Sequence, residues 1–161
     1  MSLVAKILPP ANVAVDISVS SKKRLFEHLG LHFENHHGIA RRVVFESLFA
    51  RERLGSTGLG HGIALPHGRI KGLKDALGAF LRLSAPVPFD APDGKPVELV
   101  FALLVPEQAT EKHLQILSEL AQMFSDRGLR ESMSAAADPA SLHQLISSWQ
   151  PDAAGQRHAI A

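Results

Sequence analysis

The chain has 161 residues, of which 45% are hydrophobic and 20% charged, as is usual for one globular domain with its own core. Its formal net charge of +1 argues against broad electrostatic binding to nucleic acid or to an anionic membrane surface. Cysteine is absent, so disulfides, thiolate catalysis and cysteine-ligated metal sites are excluded. Because no apolar run reaches the length of a membrane span and no signal-peptide pattern opens the chain, we expect a cytoplasmic protein without membrane insertion.

The first part of the chain predicts one strand and two helices. A weakly alternating run at 13–16 indicates a short strand. A serine-capped helix is predicted over about 21–35, with Gly38 as its stop signal. A second helix is predicted over 40–53, with an apolar face formed by Val43, Val44, Leu48 and Phe49.

A glycine-rich stretch follows the second helix and organises the rest of the chain. Within it, the run 62–65 predicts a short buried strand that Pro66 ends, because proline cannot donate to a strand ladder. His67 is therefore expected just past a strand end, with Gly68 leaving its backbone unobstructed. We interpret His67 as a nucleophile set before backbone amides, hydroxyl groups and an arginine.

Two strong strand signals, at 76–83 and 97–105, come next. The second run is apolar almost throughout, which is typical of a strand covered on both faces. A helix capped by Thr110 is predicted over 111–127 and is expected to be broken by Gly128. Its predicted apolar face consists of Leu114, Leu117, Leu120, Ala121 and Phe124.

Two shorter helices, one reaching Ala137 and one over 139–149, complete the predicted domain. Residues 150–161 lack periodicity and are expected to form a flexible C-terminal tail. Helices on both sides of the strong strands predict a single three-layer α/β domain over 1–149, with a mixed β-sheet between the helices.

The residue types around the glycine-rich stretch suit phosphoryl chemistry. A histidine ring is nucleophilic at neutral pH and is also a competent leaving group, so it can carry a phosphoryl group reversibly. Such transfer needs positive charge and donors around the phosphoryl oxygens. Arg51 offers a forked cation, Ser56 and Thr57 offer hydroxyls for phosphate binding, and His113 lies in a helix's first turn, which favours an anion. Taken singly, each of these residues also has an ordinary structural explanation.

Nucleotide and metal sites are weaker explanations of the same residues. The glycine spacing of 55–60 fits a P-loop, but His61 and Gly62 stand where that motif requires Lys and then Ser or Thr. Gly58 and Gly60 fit the start of a dinucleotide-binding fingerprint, but its third glycine is missing. His61 and His67 flank an extended segment and would lie up to about 20 Å apart. His32, His36 and His37 have helical spacing, but no carboxylate completes a site. We therefore expect neither a cofactor nor a bound metal.

The run from Arg51 to Gly68 closely resembles the signature of the fructose/mannitol-type enzyme IIA domains (EIIA type 2) of the bacterial phosphotransferase system. The segments 105–107 and 113–117 are similar to a second motif of that family, and the similarity extends over about 3–149. The resemblance implies a single α/β domain of the mannitol-type enzyme IIA fold. It also implies that a histidine phosphocarrier of the HPr type phosphorylates His67, and that Arg51 and His113 lie beside the phosphoryl group. The protein would then be a phosphoryl carrier rather than a free-standing catalyst.

Within the family, the segments 7–10 and 49–52 look most like the nitrogen-regulatory branch. That resemblance implies a regulator whose phosphorylation state selects its targets, such as potassium-uptake components or sensor kinases, and whose phosphate donor is the carrier of the nitrogen branch. One alternative is a sugar-specific enzyme IIA that passes phosphate to a IIB permease domain. Another, of a different class, is a binding module that works without phosphorylation.

Overall fold

A computed structural model of the chain describes residues 2–108 and 111–151. Its helices are α1 Leu3–Ile7, α2 Lys22–His37, α3 Arg41–Glu52, α4 Glu111–Ser125, α5 Arg127–Ala135 and α6 Pro139–Ser148, with a 3-10 turn at Pro10–Asn12. Its strands are β1 Val13–Ile17, β2 Gly58–Gly60, β3 Ile63–Ala64, β4 His67–Ile70, β5 Leu77–Val87 and β6 Val97–Pro106. None of the helices within these ranges is long and apolar enough to cross a membrane.

The six strands form one mixed sheet in the order β1-β5-β6-β3-β2, with β4 also paired to β6. Strands β5 and β6 are antiparallel, whereas β1 runs parallel to β5. Strands β3 and β4 lie one after the other along the same edge of β6, and both run parallel to it. The predicted mixed sheet is confirmed.

Helices cover both faces of the sheet and create two hydrophobic cores. Helices α2 and α3 pack on one face, where Phe26, Phe33 and Leu48 are buried. Helices α1, α4, α5 and α6 pack on the other, around Phe101 and Phe124. Strand β6 contributes to both cores because its alternate side chains point to opposite faces, which explains its continuous apolar sequence. The predicted three-layer α/β architecture is confirmed.

The helix signals of the first part of the chain are confirmed. The Ser21 hydroxyl accepts a hydrogen bond from the Arg24 amide at the start of α2. Gly38 ends this helix with φ at 69°, a left-handed conformation in which a side chain would be strained. The predicted face of α3 is wrong at Val43, which is 44% exposed because the helix turns Val44 and Leu48 toward the sheet instead.

The predicted boundary after α4 is wrong. The helix ends at Ser125, and Gly128 lies inside α5 rather than breaking a helix. The break comes from Asp126, whose carboxylate accepts a hydrogen bond from the Leu129 amide and so caps α5. The short elements α1 and β2 were not predicted. The proposed cap Thr110 and residues 152–161 of the predicted tail lie outside the described residues.

Candidate functional site

His67 lies just past the end of β3, as predicted, but it also opens strand β4, which was not predicted. Pro66 does interrupt the run from β3 to β4, since it cannot donate a hydrogen bond. Its carbonyl still accepts from the Leu103 amide at 2.9 Å, and the chain rejoins the sheet with His67 in register beside Leu103. The parallel ladder with β6 therefore fixes the backbone of His67.

Gly68 allows α3 to pack directly on β4. A Cβ atom at Gly68 would overlap the Ser47 hydroxyl oxygen and would lie 3.0 Å from the carbonyl carbon and oxygen of the same residue, tighter than nearly all Cβ contacts in proteins. The Ser47 hydroxyl also donates to the Arg69 carbonyl at 2.8 Å. The backbone of Gly68 is therefore closely covered rather than unobstructed. One turn further along α3, Arg51 is carried to the neighbourhood of His67.

The His67 ring is held in one tautomer. Its Nδ1 atom lies 2.8 Å from the Leu65 carbonyl oxygen, which can only accept, so Nδ1 carries the hydrogen and the neutral ring keeps its lone pair on Nε2. Burial lowers the pKa of His67, and the bond to Leu65 opposes this effect. The charge of Arg51 lowers the pKa further, whereas the charge of Glu52 raises it. The ring is consequently neutral, with a nucleophilic Nε2, at physiological pH.

A cleft of about 600 Å³ brings His67, Arg51 and His113 together. The Arg51 guanidinium, which comes from the last turn of α3, donates through Nη1 to the Gly55 carbonyl at 2.8 Å. The remaining walls of the cleft are mainly apolar or small: Ser47, Ala50, Leu54, Gly68, Arg69, Leu103, Val105, Leu114 and Leu117. Arg51, Arg69 and His113 thus share a mainly apolar cleft with the candidate nucleophile.

His113 reaches this cleft because it lies on the buried face of α4, which differs in part from the predicted face. The buried residues are His113, Ile116, Leu120, Met123 and Phe124, whereas Leu114 is 65% exposed. The prediction is right at Leu120 and Phe124, but Leu114 and Ala121 are exposed because packing on the sheet selects the stripe that begins with His113. His113 is therefore only 8% exposed, and Leu114 stands at the mouth of the cleft.

Ser56 and Thr57, predicted as phosphate ligands, do not line the cleft. The Ser56 hydroxyl donates to the Phe89 carbonyl at 2.9 Å. Thr57 is 4% exposed, and its hydroxyl donates to the Glu52 carboxylate at 2.6 Å. Both hydroxyls stabilise the loop that follows α3 rather than facing the His67 ring.

Glu52 is a buried charged residue that sequence reasoning missed. It is 8% exposed, and its carboxylate also accepts from the Thr57 amide and from Lys22 Nζ, the latter at 3.0 Å. One signal was available in the sequence, because Glu52 continues at four-residue spacing the stripe of Val44 and Leu48. A carboxylate on a buried stripe requires donors around it.

The histidine-rich part of α2 forms hydrogen bonds within the protein. The Nε2 atoms of His32 and His37 lie 2.9 and 2.8 Å from Asn12 Oδ1, and the His36 ring stacks on that of His32. Asn12 is fully buried, and its Nδ2 donates to the Gly78 carbonyl. Across the residues that the structure describes, no group of three or more His, Asp or Glu side chains is arranged to hold a metal ion.

The fold and the motif around His67 define the class of this protein: it is an enzyme IIA domain of the phosphotransferase system. Residues 6–149 match the family "Phosphoenolpyruvate-dependent sugar phosphotransferase system, EIIA 2", and the chain belongs to that family.

Relatives and solved structures refine this assignment. The chain is 42% identical to the nitrogen regulatory protein of Pseudomonas aeruginosa over 147 residues, covering 91% of this chain and 96% of the relative. It is 39% identical to the Escherichia coli K12 nitrogen regulatory protein, covering 86% of each chain. The crystal structure of IIA-Ntr from Neisseria meningitidis superposes with a TM-score of 0.85 at 52% identity, over 90% of this chain and 99% of that one. The predicted resemblance to nitrogen-regulatory enzyme IIA proteins is confirmed.

A more distant structure shows the same fold. IIA mannitol from Escherichia coli superposes with a TM-score of 0.71 over 86% of this chain and 97% of its own, at 19% identity. The mannitol-type enzyme IIA fold predicted for this chain is therefore confirmed.

Proposed function

We propose that this chain is a cytoplasmic regulatory protein of the nitrogen phosphotransferase system that accepts a phosphoryl group on Nε2 of His67 from an HPr-type phosphocarrier. The observation that carries the proposal is the hydrogen bond from Nδ1 to the Leu65 carbonyl, which leaves Nε2 as the nucleophile in a cleft shared with Arg51 and His113. The similarity to proteins named nitrogen regulatory protein supports the regulatory role.

The transfer step needs no cofactor. The Nε2 lone pair attacks phosphorus, the new N–P bond forms, and the N–P bond of the carrier's phosphohistidine breaks. The carrier's imidazole leaves with the bonding electron pair and later takes a proton. Nδ1 of His67 keeps its proton throughout, because the Leu65 carbonyl holds it. That hydrogen bond also stabilises the positive character that the ring gains as Nε2 forms its new bond.

The cleft favours the phosphorylated product electrostatically. Arg51 places a permanent cation beside the site, and His113 adds a ring that can donate a hydrogen bond. The low exposure of His113 and the apolar walls reduce screening by water, which strengthens both interactions. We propose that the two residues stabilise the phosphoryl oxygens during transfer and in the phosphorylated protein.

Regulation follows from the change of charge. A phosphoryl group would add up to two negative charges at a cleft bordered by Arg69 and the exposed side chains of Leu54 and Leu114. Such a change weakens contacts with one set of partners and favours another. Candidate targets are potassium-uptake components and sensor kinases.

A sugar-specific enzyme IIA is the second candidate. The chain is 34% identical to the fructose-specific EIIA component of Haloferax volcanii, over 66% of this chain and 69% of that relative. The nitrogen regulatory proteins are more similar and cover more of the chain, which favours the regulatory role. Transfer of phosphate from this protein to a IIB permease domain would support the sugar-specific alternative instead.

The test is intact-mass spectrometry after incubation with phosphoenolpyruvate, enzyme I and an HPr-type carrier. We expect one acid-labile phosphoryl group on the wild type and none on His67→Ala. His61→Asn, at an exposed position six residues away, is the matched control and should be labelled like the wild type. Absence of labelling with an active carrier would favour a binding module that works without phosphorylation.

A further inference from the structure

The loop after α3 is fixed by a buried carboxylate. The side chain of Glu52 is 4% exposed and receives hydrogen bonds from the Thr57 hydroxyl at 2.6 Å and from the Thr57 amide at 3.1 and 3.2 Å. Lys22 Nζ, from the first turn of α2, donates to the same carboxylate at 3.0 Å. An ion pair this well surrounded fixes geometry more than it adds stability.

The loop closed in this way contains the partner of Arg51. Between Glu52 and Thr57 the chain turns back, and the Gly55 amide donates to the Glu52 carbonyl at 3.1 Å. The Gly55 carbonyl in turn accepts from Arg51 Nη1 at 2.8 Å. Contact between Glu52 and Thr57 holds the two ends of this loop together. The position of the Gly55 carbonyl depends on that contact, and so does the position of the Arg51 guanidinium.

We propose that Glu52, Thr57 and Lys22 form a positioning clamp that holds the Gly55 carbonyl where it orients the Arg51 guanidinium toward His67. The inference rests on the function proposed above and assigns Thr57 a role other than phosphate binding. Thr57 acts through Glu52, Gly55 and Arg51, because its hydroxyl is buried against the carboxylate and does not line the cleft. The clamp also ties the site to α2, since Lys22 belongs to that helix.

The first test replaces the threonine hydroxyl by a methyl group of nearly the same volume, in Thr57→Val. No formal charge changes, so the direction of a change in the pKa of His67 is informative: loss of Arg51 from beside the ring raises the pKa, whereas movement of Glu52 away from the ring lowers it. We expect this pKa, measured by NMR titration of the ring, to rise toward its value in Arg51→Ala, because Arg51 no longer stands beside the ring. Thr57→Ser should restore the wild-type pKa. This readout does not depend on phosphorylation, so it tests the clamp even if the proposed function fails.

The second test measures the rate of phosphoryl transfer in a double-mutant cycle. Thr57→Val should slow transfer by roughly tenfold to a hundredfold, as misplacement of a stabilising group does. In an Arg51→Ala background the same substitution should have almost no further effect, because its target is already absent. Ser132→Ala, which removes a hydroxyl bonded within α5, is the control for general destabilisation.

Two results would overturn the inference. One is an unchanged pKa of His67 in Thr57→Val. The other is an equal loss of rate in the Arg51→Ala background, which would mean that Thr57 acts independently of Arg51. If Thr57→Val does not fold, Lys22→Met tests the same clamp. Its control is Lys23→Met, which removes an equal charge one residue along α2. Lys22→Met should then slow phosphoryl transfer more than Lys23→Met, and this difference should vanish in the Arg51→Ala background.

Discussion

At the residue scale, the site depends on two contacts that a histidine makes with its surroundings. The Leu65 carbonyl selects the tautomer of His67, and burial together with Arg51 keeps the ring neutral. Both effects are produced by backbone geometry and packing rather than by a catalytic base. The neutral ring with its lone pair on Nε2 is therefore formed without a partner.

The lowered pKa of His67 predicts how transfer depends on pH. Because the ring stays neutral below its ordinary pKa, the rate should remain constant as pH falls through 6.5 and decline only below the lowered pKa. Transfer kinetics measured with the carrier at saturating concentration across this range check the expectation. A decline centred at or above 6.5 would show that burial does not keep the ring neutral.

Arg51→Ala removes a cation from beside His67. The pKa of His67 should rise, because the positive charge that opposed protonation is gone. Transfer should slow by about a hundredfold, the usual effect of deleting a preorganised group that stabilises developing charge. Arg53→Ala, two residues away and exposed, is the control that should leave both quantities unchanged. An equal rate in the Arg51 and Arg53 variants would remove Arg51 from the mechanism.

At the element scale, the contact of α3 with β4 sets the distance between Arg51 and His67. Gly68→Ala would place a Cβ atom against the Ser47 backbone, so we expect a loss of about 1–3 kcal/mol in the free energy of unfolding. Slower phosphoryl transfer should accompany it, because the helix that carries Arg51 must shift. Denaturant unfolding and transfer kinetics measure the two effects.

Gly128→Ala is the matched control for this substitution. Gly128 lies inside α5. A Cβ atom added there would lie 3.5 Å from Asp126 Oδ1, which is an ordinary van der Waals contact. The alanine should stabilise the protein by up to about 1 kcal/mol, because glycine is a poor helix former. Equal stability of the Gly68 and Gly128 variants would contradict the close packing of α3 on β4.

Helix α2 should make the protein sensitive to acid. Burial lowers the pKa of His32 to about 4, and the neighbouring His36, His37 and His28 add to the effect. Between 6.5 and about 4 the unfolded chain binds a proton that the native state excludes. The free energy of unfolding should therefore fall with pH in this window, by up to about 1.4 kcal/mol per pH unit.

Substitution of His32 tests this origin of the acid sensitivity. Gln at position 32 keeps a donor for Asn12 but cannot protonate, so His32→Gln should show a shallower loss of stability in denaturant unfolding between neutral pH and pH 5. His61→Asn lies outside the cluster and serves as the control. An unchanged slope in His32→Gln would assign the acid sensitivity to other groups.

The elements could be predicted where the local signal and the tertiary packing agree. The caps of α2 and the apolar run of β6 are of this kind, and both are confirmed. The predicted face of α4 was right at Leu120 and Phe124 but wrong at Leu114, because a leucine stripe and a stripe containing His113 lie side by side and only the sheet decides between them. The tautomer of His67 and the burial of Glu52 depend on distances between segments, which a linear pattern does not contain.

At the scale of the whole molecule, strands β4 and β6 form one wall of the cleft, and exposed side chains border the cleft on the protein surface. Leu54 is 84% exposed and Leu114 is 65% exposed, and both line the cleft of His67. Exposed leucines beside a reactive group suit contact with a protein partner. Leu54 lies in the turn after α3 and Leu114 on α4, so a docking partner could contact the cleft from two segments of the chain.

Leu114→Gln tests this contact surface. Because the side chain is exposed, the free energy of unfolding should hardly change, whereas the KM for the phosphocarrier should rise about tenfold with loss of an apolar contact. The matched control is Leu31→Gln, which alters a leucine on α2 that is 37% exposed and does not line this cleft. Equal KM values in the two variants would place the docking surface elsewhere.

The most direct measurement is the one-bond coupling between phosphorus and nitrogen in the phosphorylated protein labelled with nitrogen-15 in its histidines. The geometry of His67 requires the coupling to involve Nε2, while Nδ1 keeps its proton and its hydrogen bond to the Leu65 carbonyl. A coupling to Nδ1 of His67, or to either nitrogen of another histidine, would contradict the central claim that this ring is oriented for phosphoryl transfer.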